Sequence, residues 1–151
     1  MVKNKASFSV RWLGVFTTVK NLVERRLLSP YGEVNFIGEL EIKGKKRIQI
    51  RCCNMDNRLC KMRRLMCFFD RIQPSKFDYL VCVCFDRNNN VHGHYVFSSQ
   101  EVDAFFPPMT DKNNKLVSYY KGLYVPQNED MEEPLKTLLD CSFENWEKIK
   151  Q

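Results

Sequence analysis

Glu39, Gln49 and Arg51 form the most chemically suggestive spacing in this 151-residue chain: an acid, an amide ten residues later, and a cation two beyond it. A carboxylate beside an amide oxygen offers the hard oxygen donors that Mg²⁺ takes while it keeps several waters. A neighbouring cation would stabilise charge developing on a phosphate and help to place an attacking water. Glu24 adds a further carboxylate if the helix that carries it packs over these residues, and Glu41 is a possible substitute ligand. Residues of these types in this order are compatible with a Mg²⁺ ion held beside a phosphate.

Such a site needs two adjacent strands. Leu40 and Ile42 alternate with Glu39 and Glu41, and Ile48 and Ile50 alternate with Gln49 and Arg51, so each segment has an apolar and a polar side. The pattern predicts a hairpin of about 34–43 and 46–54 that turns at Gly44-Lys45. A three-residue turn sets Glu41 opposite Gln49 and Glu39 opposite Arg51, whereas a two-residue turn mixes the faces. The same alternation also describes an ordinary solvated hairpin, in which a cross-strand Glu–Arg pair contributes about 0.2–1 kcal/mol.

The other elements follow from periodicity. Trp12, Phe16, Val19, Val23 and Leu27 recur at helical steps and predict a helix over 11–28 with that stripe facing the core. Leu59, Met62, Leu65, Met66, Phe69 and Ile72 predict a second helix within 56–73. The continuous apolar run 79–85, between Asp78 and Asp86, reads as a central strand buried on both faces. Asn88-Asn89-Asn90 predicts a turn and 91–97 a returning strand. Ser98 with Glu101 is a capping-box pattern for a short helix to Phe106. The segment 109–127 reads as loop or irregular strand, and 133–150 as a final helix. The sum is a mixed α/β domain.

Charge is unevenly divided. Of 24 Lys+Arg and 18 Asp+Glu, residues 1–75 hold 16 and 6 while residues 76–151 hold 8 and 12. A basic half of this size suits a phosphate-rich partner. Lys43, Lys45, Lys46 and Arg47 crown the predicted turn, and Arg58, Arg63 and Arg64 lie on the predicted second helix. All seven are candidate phosphate contacts. The seven cysteines lack C-x-x-C spacing, which predicts free or buried thiols in a reducing, cytoplasmic setting rather than a zinc site. His92 and His94, two apart on one strand, are a candidate metal or acid–base pair or a partly exposed strand pair. No apolar run is long enough for a membrane helix, and no secretory segment is expected.

The stretch Gly38-Glu-Leu-Glu-Ile-Lys-Gly-Lys-Lys-Arg-Ile-Gln-Ile-Arg51, followed by Phe77-Asp-Tyr-Leu-Val-Cys-Val-Cys-Phe-Asp86, resembles the PD-(D/E)XK nuclease superfamily. The similarity is to the branch whose second motif reads Q-x-K, as in Mrr-like restriction enzymes. It covers about residues 10–106, and residues 107–151 form an extension of the same single domain. The resemblance implies a restriction endonuclease-like mixed sheet flanked by helices, and a Mg²⁺-dependent DNA endonuclease that acts as a monomer or a homodimer. It matches Glu24 to the family's helix acid, Glu39 to its metal-binding Asp, Gln49 to its Glu/Gln position and Arg51 to its catalytic Lys. Arg51 departs from that pattern, because a guanidinium is planar and does not give up its proton near neutral pH. The departure leaves a second implication open, a non-catalytic nucleic-acid-binding domain of the same fold. A third, independent of the family, is a protein-interaction domain that docks a partner through Glu144, Trp146 and Glu147.

Overall fold

The computed structural model describes residues 8–27, 33–37, 39–43, 46–55, 66–110, 113, 115–126 and 133–150, of which 8–9, 33–37, 39–43, 66, 110, 116–120, 124, 126 and 150 are described by backbone alone. In chain order the elements are helix α1 (Phe8–Glu24), strands β1 (Glu33–Ile37), β2 (Glu39–Lys43), β3 (Arg47–Asn54), β4 (Met66–Ile72), β5 (Tyr79–Phe85) and β6 (Val91–Ser98), and helix α2 (Ser99–Phe105). Strands β7 (Pro108–Thr110) and β8 (Leu116–Pro126), helix α3 (Leu135–Ser142) and 3₁₀ turns at Pro74–Lys76 and Trp146–Lys150 complete the described elements. The fold is mixed α/β. A five-stranded sheet has the order β1-β2-β3-β5-β6, and a three-stranded sheet the order β4-β8-β7.

The run 79–85 forms the inner strand its composition predicts: Leu80 to Phe85 are all buried. It pairs parallel to β3 and antiparallel to β6. Asp78 and Asp86 frame it. Asp78 accepts from the Arg47 backbone N–H at 2.7 Å, and the Asp86 carboxylate takes the N–H groups of Asn88 and Asn90 at 2.8 and 2.9 Å. The second set of bonds shapes the turn, in which Asn89 adopts a left-handed φ of 62°.

Each side of the large sheet has its own core. Ile48, Ile50, Val81, Val83, Phe85 and Val96 meet Val10, Val15 and Leu22 of α1, with Trp146 and Ile149 from the C-terminal segment. On the opposite side Cys53, Leu80, Cys82, Cys84 and Phe97 meet Cys67, Phe69 and Ile72 of β4, Leu123 and Val125 of β8, and Leu138 and Leu139 of α3. The large sheet is therefore flanked by a helix on one face and chiefly by the small sheet on the other.

Three sequence expectations are corrected. Residues 66–72, expected within a helix, are strand β4, paired antiparallel to β8. Cys67 and Phe69 alternate at strand spacing. A register shift with Arg71 at a φ of 51° then carries Ile72 inward, a three-residue step that imitates helical periodicity. Strand pairing with β8, invisible locally, decides the outcome. The remainder of that expectation, 56–65, lies outside the described residues.

The second correction is the face of α1. Val19 and Leu27 pack inward as expected, but Trp12 and Phe16 are exposed, and Val10, Val15, Thr18 and Leu22 are buried instead. The helix lies so close to the sheet that a Cβ at Gly14 would strike Cys52 Sγ. Around Gly14 the approach leaves no space for an indole or phenyl ring on the sheet side of the helix, whereas Leu22, two turns further on, is accommodated. Thr18, fully buried, satisfies its hydroxyl by donating to Gly14 O at 2.8 Å.

The third is the C-terminal helix, which breaks between α3 and the 3₁₀ turn, with Glu144 at a φ of 51°. The capping box appears as predicted: Ser98 Oγ accepts from Glu101 N, and Glu101 accepts from Ser98 N. Ser98→Ala is expected to cost about 1 kcal/mol in chemical denaturation. No change in midpoint would show that α2 is held by packing alone.

Candidate functional site

The hairpin register places the motif. Lys43 pairs with Arg47, Ile42 with Ile48, Glu41 with Gln49 and Leu40 with Ile50. This is the register favoured by the apolar pattern, and Glu41 stands opposite Gln49 as expected. The predicted first strand is in fact two antiparallel strands, β1 and β2, so β3 is the third strand of a meander. The Phe77-Asp78 pair leads into β5, which lies parallel beside β3.

Gln49 and Arg51 alternate with Ile48 and Ile50 and so point toward the small sheet rather than into solvent. Gln49 is 5% exposed. The Arg51 Nη2 donates to Asp70 O at 2.6 Å and lies 3.6 Å from the Asp70 carboxylate. Its guanidinium thus ties β3 to β4 across the gap between sheets. Glu24, at the end of α1, belongs to the opposite face of the large sheet, where it is exposed and 4.0 Å from Lys20. The structure therefore does not bring Glu24 to Gln49 and Arg51. Glu39 and Lys43 are placed by backbone in β2; Lys45, Arg58, Arg63 and Arg64 lie outside the described residues.

Among the described residues, no three His, Cys, Asp or Glu side chains are grouped as a metal ion requires. Glu24 lies across the sheet and the Arg51 guanidinium is engaged by Asp70, so the described side chains alone do not assemble a Mg²⁺ site around Gln49. No family model matches the chain, and no curated protein matches it either.

Lys46 and Arg47 stand where β3 begins. Lys46 Nζ donates to Ile149 O at 2.6 Å and lies 5.3 Å from the centre of the Tyr79 ring. Arg47 remains about half exposed, 3.5 Å from Asp78. The Arg47 backbone N–H, helped by its guanidinium, holds the Asp78 carboxyl below its ordinary range. Lys46, Asp78, Tyr79, Ser99 and Gln100 line an open polar depression of about 310 Å³.

The histidines separate. His92 is the extra residue of a bulge between Val91 and Gly93 and is exposed, whereas His94 is buried. His94 Nδ1–H donates to Glu144 Oε1 at 2.9 Å, its Nε2 lies 3.0 Å from Thr17 Oγ1, and its ring packs 5.1 Å from that of Trp146. Glu144 also accepts from the His94 backbone N–H and the Trp146 indole N–H, while its own N–H donates to His94 O. Trp146 is thus buried and bonded internally rather than presented to a partner, while Glu144 is partly exposed and Glu147 exposed. Sequence reasoning missed Asp70, Thr17 and the His94–Glu144 pairing. These contacts join residues 19 to 77 positions apart, and no local pattern carries them.

The described cysteines are free. Burial pushes the Cys52 thiol up to about 12 and raises Cys82 and Cys84 as well. Thiols so protonated behave as small apolar side chains.

Proposed function

We propose that this chain is a non-catalytic nucleic-acid-binding domain that keeps a nuclease-like arrangement of strands. The observation that carries the reading is the division of the cations. Arg51, at the motif's catalytic position, is engaged with Asp70 between the sheets, whereas Lys20, Arg25, Arg26 and Arg47 remain exposed. Exposed cations of the basic half supply counterion release on a phosphate backbone. The domain works in a reducing, cytoplasmic setting, a reading supported by the free cysteines among the described residues. No described helix is long and apolar enough to cross a membrane.

A second reading is a Mg²⁺- or Mn²⁺-dependent DNA endonuclease. It is favoured by the register that sets Glu41 opposite Gln49 beside the parallel β3–β5 pair. One experiment separates the two. Labelled DNA is titrated with protein at about 50 and 200 mM salt, and plasmid is incubated with each metal. The first reading expects affinity to fall roughly tenfold or more between the two salts, with no cleavage. Cleavage abolished by Glu39→Ala or Gln49→Ala would establish the second. Absence of DNA binding at the lower salt would remove both.

A further inference from the structure

Trp12, Phe16 and Lys20 stand at four-residue steps on α1, so they form one ridge with members about 6 Å apart along the axis. Trp12 is 44% exposed and Phe16 66%; Leu13 is 40% exposed beside them, and the Lys20 side chain 62%. Rings of this size ordinarily dominate cores. Here the core side of the helix, closed down at Gly14, has no room for them. Clustered exposed apolar groups mark a contact surface, and charge selects the partner. Residues 8–27 carry Arg11, Lys20 and Arg26 against Glu24, with a further cation, Arg25, lying over the buried Trp146 ring. Two copies meeting symmetrically through this face would oppose like charges, whereas a polyanion is complementary.

Two exposed rings at this spacing, flanked by cations, suit successive bases of a single strand, since every base presents a π-face to an aromatic platform. A duplex keeps those faces stacked and out of reach. We propose that the Trp12–Phe16–Lys20 ridge of α1 is a stacking platform for single-stranded nucleic acid. The inference rests on the nucleic-acid-binding reading and names its substrate class.

The chain has two tryptophans, and Trp146 is 1% exposed, so Trp12 is the indole that reports on the ridge. The full chain is titrated with oligothymidylate of about 12 nucleotides, a length within the usual span of such sites, and in parallel with a duplex of equal length. Tryptophan fluorescence and the anisotropy of labelled DNA are both followed. The single strand is expected to quench Trp12 saturably. Phe16→Ala and Trp12→Ala are each expected to weaken its binding roughly five- to a hundredfold, the range for loss of one stacked base, with unchanged circular dichroism. Equal binding of duplex with no quenching and no Phe16 dependence overturns the ridge proposal and leaves nucleic-acid binding standing. Absence of binding to either DNA overturns both. Self-association that protects Trp12 and is lost in Phe16→Ala overturns the proposal in favour of a contact between copies.

Discussion

Glu144→Ala is expected to lower the free energy of unfolding by about 2–4 kcal/mol. One carboxylate serves three donors: the His94 backbone N–H, the His94 ring and the Trp146 indole. Two of these belong to buried side chains, and each buried donor left unsatisfied costs roughly 1–3 kcal/mol. Water admitted around the partly exposed Glu144 recovers some of that, which sets the lower end of the range. Glu144→Gln retains one oxygen acceptor and is expected to lose less. Urea unfolding of the three proteins provides the measurement, and an alanine variant within about 0.5 kcal/mol of the parent would refute the assigned role. The pH dependence has a definite sign. Burial raises the pKa of this carboxyl, but the bonds from His94 and Trp146 outweigh it and hold the group below its ordinary value. A folded pKa that is depressed contributes stability present in full above the unfolded carboxylate value, near 4.3. That contribution is lost as pH falls through the folded value. The difference between parent and Glu144→Gln should accordingly narrow in acid.

Arg51→Met is expected to cost about 2 kcal/mol while leaving DNA affinity within about twofold. Breaking a fully buried ion pair costs about 3–5 kcal/mol because the remaining charge is stranded. Arg51 and Asp70 retain 20% and 25% of their side-chain exposure, which moderates the cost. The guanidinium also takes the Asp70 carbonyl at 2.6 Å, a charge-assisted bond that methionine cannot replace. A double-mutant cycle with Asp70→Asn isolates the coupling. Affinity that collapses while stability holds would place Arg51 on phosphate and return the motif to a functional role.

The legible parts of the fold were those with a strong local signature. The apolar run 79–85 announced an inner strand, the Ser98-x-x-Glu101 pattern a helix start, and the two-residue alternation around Gly44 the register of Glu41 against Gln49. Strand β4 was not legible, because its inward residues mix steps of two and three and its partner lies some 50 residues away. The face of α1 is not legible for a related reason: hydrophobicity ranks Trp12 and Phe16 highest, but the close approach at Gly14 selects by size. At the motif, alternation correctly placed Gln49 and Arg51 on one side of a strand. It could not tell that a second sheet covers that side, since Asp70 is specified only by the assembled chain.

Strand β6 ends the large sheet on one side, and the contacts made by Glu144 have a consequence for how the protein behaves in crowded solution. An outermost strand offers a row of unpaired amides and carbonyls to any extended peptide, and proteins blunt such rows to avoid piling up. At His94 both groups are occupied by one residue, the N–H by the Glu144 carboxylate and the carbonyl by the Glu144 N–H. Its left-handed φ of 51° turns the chain aside directly after that pairing, so the covering segment is too short to act as a template itself. Glu144 is thereby a stopper: it completes the strand's bonding and offers no continuation for another sheet to grow on.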